Sequence, residues 1–301
     1  MNVIIVLNYN DADNTTRYVN EIKEYKCVDR IVIVDNCSSD TSVKRLEPLS
    51  NDEKVDLVVS KKNAGYAAGN NVGVRYSVDK YGKDFGKIII SNPDIYLSEE
   101  TFERVMSAFD HGYRMATGVI YNYDVSSEKK ELVSNFAWRT PNTIDMFSNC
   151  FLIWYKLRRK VFNNSMYLKY EEHPEYYITT SCVPGCFFAI DVNALDRIGY
   201  FDESTFLFGE ETILGWQLEK IGCKACVVNN TEVLHENSAS IKKNVKGSRI
   251  KEKYMLDSNL VYMKKYPKCN AFICGLYKVF YWIGTLENKI VRLISRMRRG
   301  R

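Results

Sequence analysis

Short apolar runs and helical segments alternate along residues 1–90, and this pattern constrains the fold more than any other feature of the chain. Val3 to Leu7, Arg30 to Val34, Val55 to Val59 and Lys87 to Ile90 read as strands. The stretches between them predict a helix from Asn14 to Tyr25, a short one near Thr41 to Leu46, and a longer one from Tyr66 to Tyr81. Such alternation closes through right-handed crossovers and predicts an α/β fold: a mixed, mainly parallel sheet flanked by helices. The unbroken run Ile88-Ile89-Ile90 suits a strand covered on both faces.

Each predicted strand ends in polar residues rather than a minimal turn. Asn8-Tyr9-Asn10 follows the first, Asp35 to Asp40 the second, Asn63 to Asn71 the third and Asn92-Pro93-Asp94 the fourth. In an open α/β sheet the carboxyl edge of the strands is where ligands bind, so four polar loops converge on one crevice. Pro93 ends strand pairing and presents Asn92 and Asp94 on a rigid turn. There Asp94 can hold a hard divalent cation while Asn92 meets a sugar hydroxyl. Tyr9 offers a ring to a base and Asp35 an acceptor to a base imide or ribose hydroxyl. Gly65 is expected to let the backbone approach a diphosphate at the start of the helix that Tyr66 opens. Asn10, Asn63 and Asn70 complete the polar lining. Neither a GxGxxG nor a GxxxxGK[ST] pattern occurs in these loops, which argues against dinucleotide and ATPase readings.

Composition sets wider bounds. A chain of 301 residues, 46% apolar, builds a substantial core, and its net charge of +5 gives no reason to expect a nucleic-acid partner. Nine cysteines with no disulfide framework fit reduced thiols, and an N-terminus that runs straight into an apolar strand predicts a cytoplasmic protein. Cys223 and Cys226 have CxxC spacing but lie in a segment that reads as a strand, where residues three apart face opposite sides, so they read as structural thiols.

The four loop segments together resemble those of a family 2 glycosyltransferase of the GT-A fold, in the branch of rhamnosyltransferase-like enzymes of bacterial surface polysaccharide synthesis. The resemblance covers roughly residues 2–240. It implies that Ser91-Asn92-Pro93-Asp94 is the DxD-type metal and ribose motif, with Asn in its first acidic position, so that Asp94 alone brings charge to the metal. It implies that Glu211, in Gly209-Glu210-Glu211, takes the place of the catalytic base, with Glu210 as its neighbour and alternative. It also implies that His235, after the strand near Ala225 to Val228, completes the coordination of Mn²⁺ or Mg²⁺. Two residues depart from the family pattern: Ile213 stands where another acid is usual and Gln217 where Arg is frequent. The implied activity is inverting transfer from a UDP- or dTDP-sugar to a saccharide or lipid-linked saccharide. A sugar-nucleotide binder without turnover and a sugar nucleotidyltransferase are the alternatives, and Asn8 to Asn14 lacks the Gly and basic residues that the latter needs.

The reading divides the chain into a catalytic domain over 1–240, with a nucleotide-binding half at 1–97 and an acceptor half at 98–240, and an extension over 241–301. Aromatic residues between Tyr121 and Thr180, Trp138 and Trp154 among them, suit sugar faces. The run Ile241 to Gly247 reads as a basic loop able to close over a diphosphate. Beyond it, Phe272, Leu276, Phe280, Ile283, Leu286, Ile290, Leu293 and Met297 recur at helical steps and predict a long amphipathic helix. A membrane surface, the catalytic domain and a second subunit are the partners open to that stripe.

Overall fold

A computed structural model describes residues 1–83, 85–133, 137–161, 166–168, 170, 173–236 and 247–299. Within those, the side chains at 158, 159, 161, 248, 292, 295, 296, 298 and 299 are outside the description.

The expected alternation is observed as β1 (Asn2–Asn8), α1 (Ala12–Ile22), β2 (Arg30–Asp35), α2 (Ser42–Leu46), β3 (Val55–Val59), α3 (Tyr66–Tyr81) and β4 (Lys87–Ser91). There follow β5 (Ile95–Tyr96), α4 (Glu99–Ser107), β6 (Met115–Asp124), β7 (Lys129–Leu132), α5 (Thr143–Ser148) and α6 (Leu152–Val161). The chain continues through β8 (Tyr177–Thr180), β9 (Phe187–Asp191), α7 (Val192–Arg197), α8 (Glu210–Lys220), β10 (Ala225–His235), α9 (Ser248–Lys265) and α10 (Ala271–Arg299).

The strands form one ten-stranded mixed sheet in the order β3-β2-β1-β4-β9-β6-β10-β5, with β7 beside β6 and β8 beside β10. Pairing is parallel from β3 through β4 and between β6 and β10; β9 joins these two parallel groups by running antiparallel to both β4 and β6. Strand alternation sends Ile4, Val6, Ile31, Ile33 and Ile89 to one core and Val3, Ile5, Val32, Val34, Ile88 and Ile90 to the other. Each of these branched side chains is worth roughly 1.5–3 kcal/mol when taken from water, which explains why the run at residues 88–90 needed no alternation. The register pairs Asn8 with Asp35, Asp35 with Val59, and Val6 with Ser91, so the ends of β3, β2, β1 and β4 form one carboxyl edge.

A third apolar cluster holds the C-terminal helices. Met146 and Cys150 near α5, Ile213 of α8, Leu256, Leu260 and Met263 of α9, and Cys274 and Tyr277 of α10 share it. The Tyr262 hydroxyl donates to the Pro141 carbonyl at 2.8 Å, and Lys289 pairs with Glu252 at 3.1 Å. Where α10 crosses the start of α6, a Cβ at Gly284 would fall 1.9 Å from the Cys150 carbonyl oxygen, so only glycine allows that approach. The Ile153 amide then donates to Glu287 at 2.8 Å.

One member of the predicted stripe is corrected. Phe280 turns inward, its ring 5.3 Å from that of Phe147 and 5.7 Å from that of Phe151. Val279 takes its place, and the exposed stripe runs Phe272, Leu276, Val279, Ile283, Leu286, Ile290, Leu293 and Met297. All nine cysteines carry free thiols. Among the described residues no helix is long and apolar enough to cross a membrane.

Candidate active site

The turn after β4 is held from both sides. The Asn92 amide donates to the Cys186 carbonyl at 2.8 Å, and Arg17 of α1 reaches the carbonyls of Pro93 and Ile95 at 2.8 and 2.7 Å. The same guanidinium lies over the Tyr96 ring, 3.7 Å from its centre. Two-residue β5 pairs antiparallel with the end of β10, aligning Ile95 with His235, and the Glu236 amide donates to the Asp94 carbonyl at 3.0 Å. Asp94 and His235, 141 positions apart in the sequence, therefore face one another with Oδ1 3.2 Å from Nε2.

Asp94 is 2% exposed, and its Oδ1 meets no described donor but the His235 ring nitrogen. A carboxylate buried beside a single imidazole is costly, and either a proton on that imidazole or a cation would offset the cost. This donor set, one carboxylate and one imidazole on a buried edge, fits a divalent cation of the Mn²⁺ type. Burial opposes a charged His235, but Cys186 and Asp94 beside it outweigh burial and lift its pKa to about 10. A proton and a cation thus compete for the same Nε2 lone pair.

The paired acids open α8 after Phe208 and Gly209, both at positive φ. Glu210 is buried, its Oε2 lacks a partner among the described residues, and burial together with the charge of Glu211 raises its pKa to about 8. Glu211 is less enclosed, and its Oε1 accepts the Gly185 amide at 3.2 Å. Burial raises its pKa too, against the pull of the amides that bond it. Burial raises both carboxyls, and the charge of Glu211 raises Glu210 further, so the pair resists carrying two charges at once.

Two consecutive residues before β9 join these features. Gly185 binds Glu211 through its amide and accepts the Tyr66 hydroxyl through its carbonyl, while the Cys186 carbonyl holds the Asn92 amide. Burial, then the charges of Glu211 and Glu210, push the Tyr66 pKa well up, so this hydroxyl stays a donor. The turn is thereby tied to the acid pair on one side and to the Asn92-Pro93-Asp94 loop on the other.

The nucleotide-side residues fare differently. Asn8 and Asp35 are wholly buried and bonded to each other at 2.7 Å; Ser38 donates to Asp35 from its amide and hydroxyl at 2.8 and 2.7 Å, and Thr15 donates to Asn8 at 2.9 Å. Asn10 bonds to the Ser39 amide at 2.8 Å, and Asn63 accepts from Asn36 and from the Gly65 amide, both at 3.1 Å. These side chains shape the loops. Tyr9 and Asn92 are half-buried at the edge, and Asn70, inside α3, donates to the Tyr66 carbonyl while its Oδ1 is buried without a partner among the described residues.

Gly65 is needed for a contact within the chain. A Cβ there would fall 2.2 Å from the Phe206 carbonyl oxygen, and that carbonyl accepts the Tyr66 amide at 3.0 Å. The close neighbour that demands glycine is the chain's own loop before α8, whose carbonyl accepts the first amide of α3. Of the predicted basic loop, residues 241–246 lie outside the described residues.

Sequence reasoning missed the joining residues Gly185 and Cys186, because their contribution is made by backbone atoms. It also missed Arg17, whose partners are carbonyls. Trp138, singled out only as an aromatic, donates its indole N–H to Thr212 of α8 at 3.1 Å. The departure at Ile213 has a cause in packing: the side chain is 1% exposed within the cluster that α9 and α10 complete, where a carboxylate would be stranded.

The model of the family described as Glycosyl transferase family 2 matches residues 3–199, which includes the loops and Asp94 but ends before the acid pair and His235. Over 97 residues, 32% of this chain and 29% of the relative, the sequence is 30% identical to the low-salt glycan biosynthesis hexosyltransferase Agl10 of Haloferax volcanii. Over 118 residues, 39% of this chain and 37% of the relative, it is 28% identical to the dTDP-rhamnosyl transferase RfbF of Shigella flexneri. The match thus spans about a third of the length of these curated relatives. In fold, the chain is similar to the mannosyltransferase PcManGT of Pyrobaculum calidifontis, solved with GDP-Man and Mn²⁺, at a TM-score of 0.56 and 12% identity over 98% of this chain and 79% of that one. It is also similar to GalNAc-T7 solved with UDP, GalNAc and Mn²⁺, at a TM-score of 0.56 and 14% identity over 78% of this chain and 43% of that one.

Proposed function

We infer the reaction from one premise: this chain belongs to glycosyl transferase family 2, with the α/β architecture of the GT-A glycosyltransferases. The proposed activity is transfer of a sugar from a UDP- or dTDP-sugar to a saccharide or lipid-linked saccharide, with inversion, in the making of a surface polysaccharide. The relative that acts on a dTDP-sugar and the neighbours solved with nucleotides and Mn²⁺ support the donor class.

The observation that carries the mechanism is the Gly185-Cys186 turn, which links the Asn92-Pro93-Asp94 loop and Glu211 by two backbone hydrogen bonds. Asp94 and His235 would hold the divalent cation. When bound, it supplies positive charge against the departing nucleotide diphosphate. Glu210 keeps the proton of the acid pair, which leaves Glu211 ionised, fixed by the Gly185 amide and ready to take the proton of an acceptor hydroxyl. A base on one side and a leaving group on the other suit a single displacement. Tyr66, held as a donor, keeps the 185–186 turn in place during it.

The test is incubation with a panel of UDP- and dTDP-sugars, Mn²⁺ and saccharide acceptors. Acceptor-dependent release of nucleotide diphosphate, with an inverted anomeric carbon by NMR, is expected. Tight donor binding without release for every acceptor would favour a sugar-nucleotide binder.

A further inference from the structure

The exposed stripe of α10 does not stand alone. Beside it, α5 and α6 expose Ile144, Ile153, Trp154 and Leu157, and a cavity of about 590 Å³ lined by Phe147, Phe151, Trp154 and Phe280 opens between the three helices. The exposure is large: 76% for Phe272, and 47% for each of Trp154 and Trp282. An apolar surface that spans three helices exceeds the scattered apolar residues of an ordinary surface and marks an interaction site.

Charge identifies the occupant. In α6 the sequence places Lys156, Arg158, Arg159 and Lys160 with no acid, and after Glu287 the chain carries Lys289, Arg292, Arg296, Arg298, Arg299 and Arg301, again with no acid. Apolar and aromatic side chains bordered by cations are the composition of helices that lie in the plane of an anionic bilayer. We propose that the face built by α5, α6 and α10 lies on an anionic membrane surface, with Trp154, Trp282 and the stripe in the interface and the cavity open to an acyl chain.

The stripe has a second property, for its steps alternate between four and three from Phe272 to Met297, the spacing of a coiled-coil seam. A paired seam would cover one row of α10. It leaves Ile144, Ile153, Trp154 and Leu157 in water, and parallel pairing would bring two arginine-rich ends together. A membrane covers all three helices and answers their charge.

Binding needs no turnover, so its test stands apart from that of the glycosyltransferase reading. Full-length protein is sedimented with phosphatidylcholine vesicles, with and without phosphatidylglycerol, at low and high salt, while tryptophan emission is recorded. Pelleting with the anionic vesicles alone, weakened by salt and accompanied by a blue shift that Trp154→Phe/Trp282→Phe removes, is expected. Ile283→Glu/Leu286→Glu, both on exposed positions, should keep the circular dichroism and Tm and weaken vesicle binding about tenfold or more. Protein that remains in the supernatant with anionic vesicles at low salt overturns the proposal. If it then also sediments as a dimer that Ile283→Glu dissociates, the seam belongs to a second copy.

Discussion

Two stretches of the same sheet edge treat their buried polar atoms in opposite ways. At the ends of β1 and β2, Asn8, Asp35, Ser38 and Thr15 form a closed set in which donors and acceptors answer one another. At the end of β4 and the start of α8, Glu210 Oε2 is buried with no partner among the described residues, and Asp94 Oδ1 has only the His235 ring nitrogen at 3.2 Å. A bonded network of this kind holds the loops in shape before any ligand arrives. A buried oxygen short of partners is costly until a cation or a proton answers it, which is the chemistry the proposed mechanism asks of the second stretch.

The sharpest way to break that contrast is at the acid pair. Glu211→Gln should lower transfer by about 10²–10⁴ with donor affinity and Tm unchanged, the scale for loss of a general base. If Glu210→Gln does the same and Glu211→Gln does not, the roles are exchanged. Next in size, Asp94→Ala should weaken Mn²⁺-dependent donor binding more than about tenfold by calorimetry, and His235→Ala less so. Donor affinity that ignores both Mn²⁺ and these substitutions would remove the metal from the site.

The scaffold side offers the converse. Asn8→Ala leaves Asp35 and Thr15 short of partners and should cost about 1–3 kcal/mol of stability, seen as a lower Tm, with little change in donor affinity in the folded protein. Lost affinity at an unchanged Tm would return Asn8 to the ligand. The smallest effect concerns pH. Because Glu210 has its pKa raised from 4.5 to about 8 on folding, the native state binds the extra proton and its stability falls as pH rises between those values. Glu210→Gln removes that dependence, so the Tm of the variant relative to the parent should climb from pH 5 to pH 8. A constant difference would mean that Glu210 is ionised in the folded protein.

The sequence was readable where one strand or one helix decides the outcome. Branched runs and their polar ends located β1 to β4. It was opaque where the outcome depends on a partner far along the chain. Two-residue β5 exists because β10 continues past a bulge at Asn229 to Glu232, a polar stretch that reads as a strand's end. Gly65 announced a close backbone approach, but which chain approaches is decided by Phe206. Asp94 and Glu211 were legible as isolated acids; the backbone of Gly185 and Cys186, which links them, has no side-chain signature. Likewise Phe280 fitted the stripe by spacing and left it because Phe147 and Phe151 offered it a pocket.

Ile213 has a consequence for descent and for engineering. Because this residue of α8 shares its apolar cluster with Leu256, Leu260 and Tyr277, the tail cannot be exchanged like a cassette. A chimera that grafts another enzyme's C-terminus onto this chain would leave an apolar hole one turn from Glu210, and one that grafts this tail elsewhere would lower it onto an acid where the family pattern holds. Inheritance of the two pieces is therefore expected to be linked: the residue three after the first acid should turn apolar in those homologues whose last two helices fold back, and remain acidic in those whose helices do not.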